Sequence, residues 1–154
     1  NGTHLDILAK QALWRYGLNY QHGTGHGVGA YLCVHEGPQV ISPRMRNTPL
    51  VPGMIVSNEP GFYLEGHYGI RIENLCQVVE KTEACYRDSV YGPFYGFEDL
   101  TWVPLELKLI DRALLCEAEI AAINGYHQAV FKKLAPLMPE ALLAWLKEKT
   151  AEMG

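Results

Sequence analysis

One stretch constrains this chain more than any other. Residues 22–29 read HGTGHGVG, with four glycines alternating through eight positions and two histidines among them. Glycine loses more backbone freedom on folding than any other residue and is poor helix material. The stretch is therefore expected to be extended, where the backbone passes close to something else. His22 and His26 stand four apart, which on a helix would suggest a zinc pair, but the interleaved glycines exclude that reading. On an extended strand, positions four apart point to one face. Both imidazoles are thus expected on one side, with the glycines leaving room for a substrate backbone.

The flanking segments carry clearer periodicities. Thr3 and Asp6 have the spacing of a capping box, and Leu5, Leu8, Ala9, Ala12, Leu13 and Tyr16 recur at helical spacing before Gly17. An amphipathic helix is predicted over 4–16. A hinge-like stretch follows with Pro38, Pro43, Pro49 and Pro52. Residues 54–58 read as a strand and residues 69–79, rich in Ile and Val, as a longer one, with Glu65, Gly66 and His67 in the connection. Residues 84–101 read as an irregular packed arm, where Tyr91, Phe94, Tyr95 and Phe97 lie among Gly and Pro, up to Trp102. Helical spacing returns over 111–134 and 139–152, with Asp111 as an N-cap and Pro136 and Pro139 as punctuation. At 154 residues and 48% hydrophobic, the chain can bury a core as one domain with a small appendage.

Several function classes are disfavoured. A net charge of −4 offers no broad cationic surface for nucleic acid. No apolar run approaches the roughly 20 residues of a membrane span. The first residues do not have the pattern of a signal peptide, and the absence of an initiator Met suggests a processed or excised piece. Cys33, Cys76, Cys85 and Cys116 form no CxxC pair and are expected to be free thiols in a reducing compartment.

The chemistry-bearing side chains are His22, His26, His35, Glu59 and Glu73. Glu59 sits in SNEPGFY, where a strand ending in Glu-Pro-Gly must turn sharply; it is either a held carboxylate or a surface turn residue. Glu73 sits in GIRIENL, where an apolar strand would put Ile70 and Ile72 on one face and Arg71, Glu73 and Leu75 on the other. A carboxylate there needs a cation, supplied by Arg71 or by a metal. His26 taken alone reads as a hydrogen-bonded histidine before it reads as a ligand. His67 and His127 are assigned to surface or local packing. Read from residues alone, this is a soluble α+β domain with a His/carboxylate site.

Taken together, HGTGHGVG, VHEGP, PLVPGMIVSNEPGFY and YGIRIEN resemble, in order and separation, the metallopeptidases of pita-bread fold. Among these they are most similar to the eukaryotic cytosolic type of aminopeptidase P. Residues 100–134 resemble the C-terminal extension of that subgroup, a block that separates the chain from prolidases and methionine aminopeptidases. The resemblance implies an α+β fold: the C-terminal part of a pita-bread domain, with a curved antiparallel sheet and flanking helices, over 1–98, and a helical extension over 99–154. It implies hydrolysis of peptides with proline in second position by two metal ions, usually Mn²⁺, with Zn²⁺ or Co²⁺ as other occupants. His26, Glu59 and Glu73 match metal ligands, Glu73 as the bridge. His22 and His35 match histidines that contact substrate or move protons, and Glu59 also serves the attacking water. The family's two Asp ligands lie upstream of the first helix, and Asp6, Asp88, Asp99 and Asp111 match no motif. The isolated chain is accordingly expected to be inactive, with an empty or partial metal site. The resemblance further implies a cytoplasmic homo-oligomer, and an uncovered strand edge or apolar face adds to the expected self-association. The competing expectation is a metal-free pita-bread module that binds peptide or a protein partner.

Overall fold

A computed structural model of the chain describes residues 1–44 and 47–154. Met45 and Arg46, within the proline-rich stretch, lie outside the described residues. The chain divides into two compact units, Asn1–Thr101 and Trp102–Gly154. No helix among the described residues is long and apolar enough to cross a membrane.

The first unit opens with helix α1, Gly2–Trp14. Its cap differs from the expected one: the Asn1 side chain accepts from the Thr3 amide at 3.0 Å, and no Thr3–Asp6 box forms. Gly17 ends the helix as expected, at φ +69°, with Leu18 N–H bonding back to the Leu13 carbonyl at 3.0 Å. The buried face is not the apolar stripe read from the sequence. Leu8 and Tyr16 are exposed, whereas Gly2, Asp6 and Lys10 are buried. Asp6 and Lys10, one turn apart, pair with each other at 3.0 Å, and Thr24 and the His22 carbonyl complete their hydrogen bonds.

Only Gly25–His26 of the glycine-rich stretch is regular, as β1. It pairs antiparallel with β2, Val40–Ile41, and Gly27 bridges Val56 of β3, Ile55–Asn58. His22 lies outside β1, so it and His26 do not share one strand face. The glycines admit the protein's own backbone: a Cβ at Gly25 would overlap the Ser57 carbonyl oxygen.

The 69–79 segment is two strands, not one. β4, Gly61–Leu64, pairs with β5, Tyr68–Arg71, across the turn at 65–67. β6, Asn74–Glu80, belongs to a different sheet, of order β3-β6-β7, with β7 at Tyr95–Asp99. The 84–101 arm therefore supplies an ordered edge strand, preceded by the single-turn α2, Ala84–Arg87, and its aromatics Tyr91, Phe94, Tyr95 and Phe97 are exposed rather than packed. Ile41, Val56 and Cys76 form the core of this unit, with Leu5 and Leu50 against them.

The second unit holds α3, Glu117–Leu134, and α4, Glu140–Lys149. Asp111 caps a short 3₁₀ turn, accepting from Ala113 N at 3.0 Å, and α3 starts only beyond Cys116. His127 is fully buried. Its Nε2 accepts from Leu105 N at 3.0 Å, and its Nδ1 lies 3.3 Å from the Ala151 carbonyl. It is a packing residue, as its isolation in the sequence suggests.

Candidate metal centre

The site grows from a coincidence of two strand breaks. β3 ends with Asn58 opposite Asn74, and β4 begins with Gly61 opposite Arg71. Between these pairs, Glu59 and Pro60 leave one sheet for another while Ile72 and Glu73 do the same on the facing segment. Ile72 N–H bonds the Pro60 carbonyl at 3.3 Å across the gap. Both carboxylates therefore stand at one notch. This corrects the placement of Glu73 in the middle of an apolar strand: its side chain is 42% exposed, and Ile70 and Ile72 are exposed as well.

Glu59 is the more firmly held of the two. Its amide donates to the Thr24 carbonyl at 2.7 Å, and its Oε1 accepts from Ser57 Oγ at 2.9 Å. Ser57, fully buried two positions earlier, also accepts from His26 N at 3.0 Å, so one hydroxyl joins β1 to Glu59. His26 Nε2 lies 3.1 Å from Glu59 Oε1, and His26 Nδ1 lies 3.0 Å from the Gly27 carbonyl. A carbonyl can only accept, so Nδ1 carries the proton. In the neutral ring, the Nε2 lone pair then faces a carboxylate oxygen. Two acceptors in contact call for a cation or a proton between them.

A cavity of about 460 Å³ is lined by His26, His35, Glu59, Arg71 and Glu73, with Val28, Val34 and Leu75 as its apolar wall. His26 and both carboxylates thus share one space. Among the described residues, no three His, Cys, Asp or Glu side chains are gathered closely enough to hold a metal ion. The positive charge beside the carboxylates is Arg71, with Nε 3.1 Å from Glu73 Oε2 and 3.9 Å from Glu59 Oε2. Arg71 is held firmly protonated, first by its hydrogen bond to the Tyr63 hydroxyl and then by the two glutamates.

His22 and His35 flank this centre. His22, His26, His35 and Glu59 line a second space of about 430 Å³, which shares His26, His35 and Glu59 with the first. His35 is exposed, with its ring centroid 4.3 Å from that of His26. His22 places Nδ1 2.8 Å from the Gly23 carbonyl and Nε2 2.8 Å from the Tyr63 hydroxyl. By the same reasoning its Nδ1 is protonated, and Nε2 accepts from Tyr63. Tyr63 thereby connects His22 to Arg71 and on to Glu73. Nothing in the sequence pattern points to Tyr63, because only the β4–β5 hairpin brings it there. Ser57 had one faint signal, lying two residues before Glu59 and so on the same strand face.

Comparison with known proteins gives a consistent neighbourhood. The model of metallopeptidase family M24 matches residues 1–80, and that of the C-terminal region of peptidase M24 matches residues 93–153. Aminopeptidase P1 of Arabidopsis thaliana is 49% identical over 153 residues, 97% of this chain and 23% of the relative. A probable Xaa-Pro aminopeptidase P of Tuber melanosporum is 50% identical over 155 residues, again 97% of this chain and 25% of the relative. The crystal structure of the X-prolyl aminopeptidase of Caenorhabditis elegans, described as a cytosolic enzyme with a di-nuclear active site, superposes with a TM-score of 0.88 at 40% identity. It covers 99% of this chain, which covers 25% of it. The chain thus spans about a quarter of the length of the relatives it matches.

Proposed function

The chain belongs to metallopeptidase family M24, and from that premise we propose that it is the C-terminal part of the catalytic region of an Xaa-Pro aminopeptidase. Its fold is α+β, part of the pita-bread fold of that family. In the proposal, residues 1–98 form the partial metallopeptidase domain and 99–154 its C-terminal extension. The substrate is a peptide with proline in second position, and the product is the released N-terminal residue. The enzyme is a cytosolic homo-oligomer that uses two metal ions, Mn²⁺ by preference.

The residues fit such a centre chemically. One imidazole with its second nitrogen tied to a carbonyl, beside two carboxylates, is a donor set for a hard divalent ion. His26 and Glu59 would hold one ion, and Glu73 would bridge to the other. When bound, the ions supply Lewis-acid chemistry, polarising the scissile carbonyl and making water acidic near neutral pH. The chain's own groups do the rest. Glu59, fixed through Ser57 and the Thr24 carbonyl, receives the proton of the attacking water. One of His22 and His35 stabilises the developing oxyanion and the other moves a proton to the departing nitrogen. His22 has both ring nitrogens engaged, by the Gly23 carbonyl and by Tyr63, and acts by giving up the Tyr63 bond, whereas exposed His35 is free to exchange its proton with solvent.

The observation that carries the reading is the facing pair His26 Nε2 and Glu59 Oε1, 3.1 Å apart, in a cavity shared with Glu73. With added Mn²⁺, this chain alone is expected to show no measurable Xaa-Pro cleavage, and robust turnover would overturn its assigned inactivity. A longer polypeptide that includes the upstream aspartate-bearing segment should be active. Its Glu73→Ala variant should lose metal; retention of both ions by elemental analysis would overturn the bridging role.

One observation favours a second reading. Arg71 already supplies a cation to Glu73 and approaches Glu59, as a metal-free module that binds peptide would require. Mn²⁺ binding by the longer polypeptide that Glu59→Gln abolishes discriminates in favour of the peptidase.

A further inference from the structure

Two of the most deeply buried charged side chains take no part in the chemistry above. Asp6 is 1% exposed and Lys10 4%. They lie one turn apart on α1, with Lys10 Nζ 3.0 Å from Asp6 Oδ2. A buried ion pair is favourable only when further hydrogen bonds complete both groups, and here those bonds converge on one stretch. Asp6 Oδ1 accepts from Thr24 N at 3.1 Å and from Thr24 Oγ1 at 2.8 Å. Lys10 Nζ donates to the His22 carbonyl at 3.2 Å and lies 4.8 Å over the Tyr20 ring. The Tyr20 hydroxyl closes the group, 2.5 Å from Thr24 Oγ1.

The pair therefore grips the chain on both sides of Gly23, at the carbonyl before it and the amide after it. Two functional side chains depend on that grip. His22 takes its ring direction from the Gly23 carbonyl and Tyr63. Glu59 is seated by its amide on the Thr24 carbonyl, at 2.7 Å. We propose that Asp6 and Lys10 are positioning residues for the reaction described above, an internal strut that aims His22 and seats Glu59 from helix α1. The proposal rests on the peptidase reading for its consequence, but not for its geometry.

The test uses Asp6→Asn/Lys10→Met. The asparagine retains an acceptor for Thr24, and the methionine fills the space over Tyr20 but offers His22 no donor, so no buried charge is left alone. In long-range ¹H–¹⁵N spectra of this chain, His22 should show one tautomer, protonated at Nδ1. In the double variant, at unchanged far-ultraviolet circular dichroism, it should show a mixture. In the longer active polypeptide the same variant should lower kcat on the order of 10- to 100-fold at unchanged KM and metal content. Lys10→Arg, which keeps charge and donors, should retain most of the activity. A folded double variant with the parent's His22 spectrum, or with the parent's kcat, overturns the proposal. If the parent polypeptide turns over no substrate, the peptidase reading fails, and the strut is judged by the His22 spectrum alone. Should the methionine variant not fold, Asp6→Asn/Lys10→Gln shortens the reach to His22 while keeping polarity. It should produce the same tautomer change, and an unchanged spectrum is again fatal.

Discussion

Gly25→Ala is the sharpest small perturbation of this site. The residue sits in β1 against β3, and an added Cβ would overlap the Ser57 carbonyl oxygen and come within 3.0 Å of its carbon. These are backbone atoms that cannot rotate aside, so the strands must part by roughly 1 Å or more to restore van der Waals contact. Two short contacts cross the same seam: His26 N to Ser57 Oγ at 3.0 Å and His26 Nε2 to Glu59 Oε1 at 3.1 Å. Such a shift takes them beyond useful hydrogen-bond length. Overpacking costs about 1–3 kcal/mol, and each bond lost adds about 1 kcal/mol. The expected destabilisation is about 3–5 kcal/mol, a large part of the ~5–15 kcal/mol that holds an ordinary domain together. Urea unfolding followed by circular dichroism reads the loss directly. Mn²⁺ affinity in the longer polypeptide should fall on the order of 100-fold, because ligands misplaced by an ångström no longer converge. An unchanged unfolding midpoint together with unchanged metal affinity would refute the claim that this glycine sets the spacing of His26 and Glu59.

Gly125→Ala, in contrast, should stabilise the chain by about 0.5–1 kcal/mol, since the residue is exposed in α3 and its Cβ would meet nothing within 4 Å; a lower urea midpoint would contradict this. His127→Ala should cost about 3–5 kcal/mol by the same assay, because it opens a cavity and strands the Leu105 N–H and Ala151 carbonyl that the buried ring now serves. Iodoacetamide should label Cys33, Cys85 and Cys116 but spare Cys76 at neutral and mildly alkaline pH, as read by peptide mass mapping. Burial, reinforced by Asp99, pushes the Cys76 thiol up to about 12, so the reactive thiolate forms only above that range; labelling of Cys76 in the folded chain would show that its burial is overstated.

Some of this was legible in the sequence because the relevant physics is local. The Glu-Pro-Gly string marked a strand end, and Glu59 stands there, after β3 and before β4; the sharp turn expected with it does not form, because Gly61 is not at positive φ and begins β4. Gly17 announced the end of a helix for the same kind of reason, its backbone freedom. The Asp6–Lys10 pair was hidden by its own chemistry. Charged residues on a helix predict a solvated face, and only the proximity of Thr24 and the His22 carbonyl, far along the chain, makes their burial favourable.

The two carboxylates illustrate why a site can be readable as a motif and unreadable as geometry. Alternating Ile and Val report which residues want cover, but not which strand provides it, so residues 69–79 look like one continuous strand. The partner decides the outcome. Pro60 has no amide to donate to a ladder, and β3 cannot run on into β4 as one straight strand. The ladder is interrupted at the same level on the segment opposite, between Arg71 and Asn74, while the register runs on unchanged from one strand pair to the other. That register sets Glu73 opposite Glu59 at the gap, with Arg71 paired to Glu73 at 3.1 Å. The pairing of the two segments thus sets one acid opposite the other, and the convergence on which the proposed metal chemistry depends is a property of the pair of segments rather than of either one.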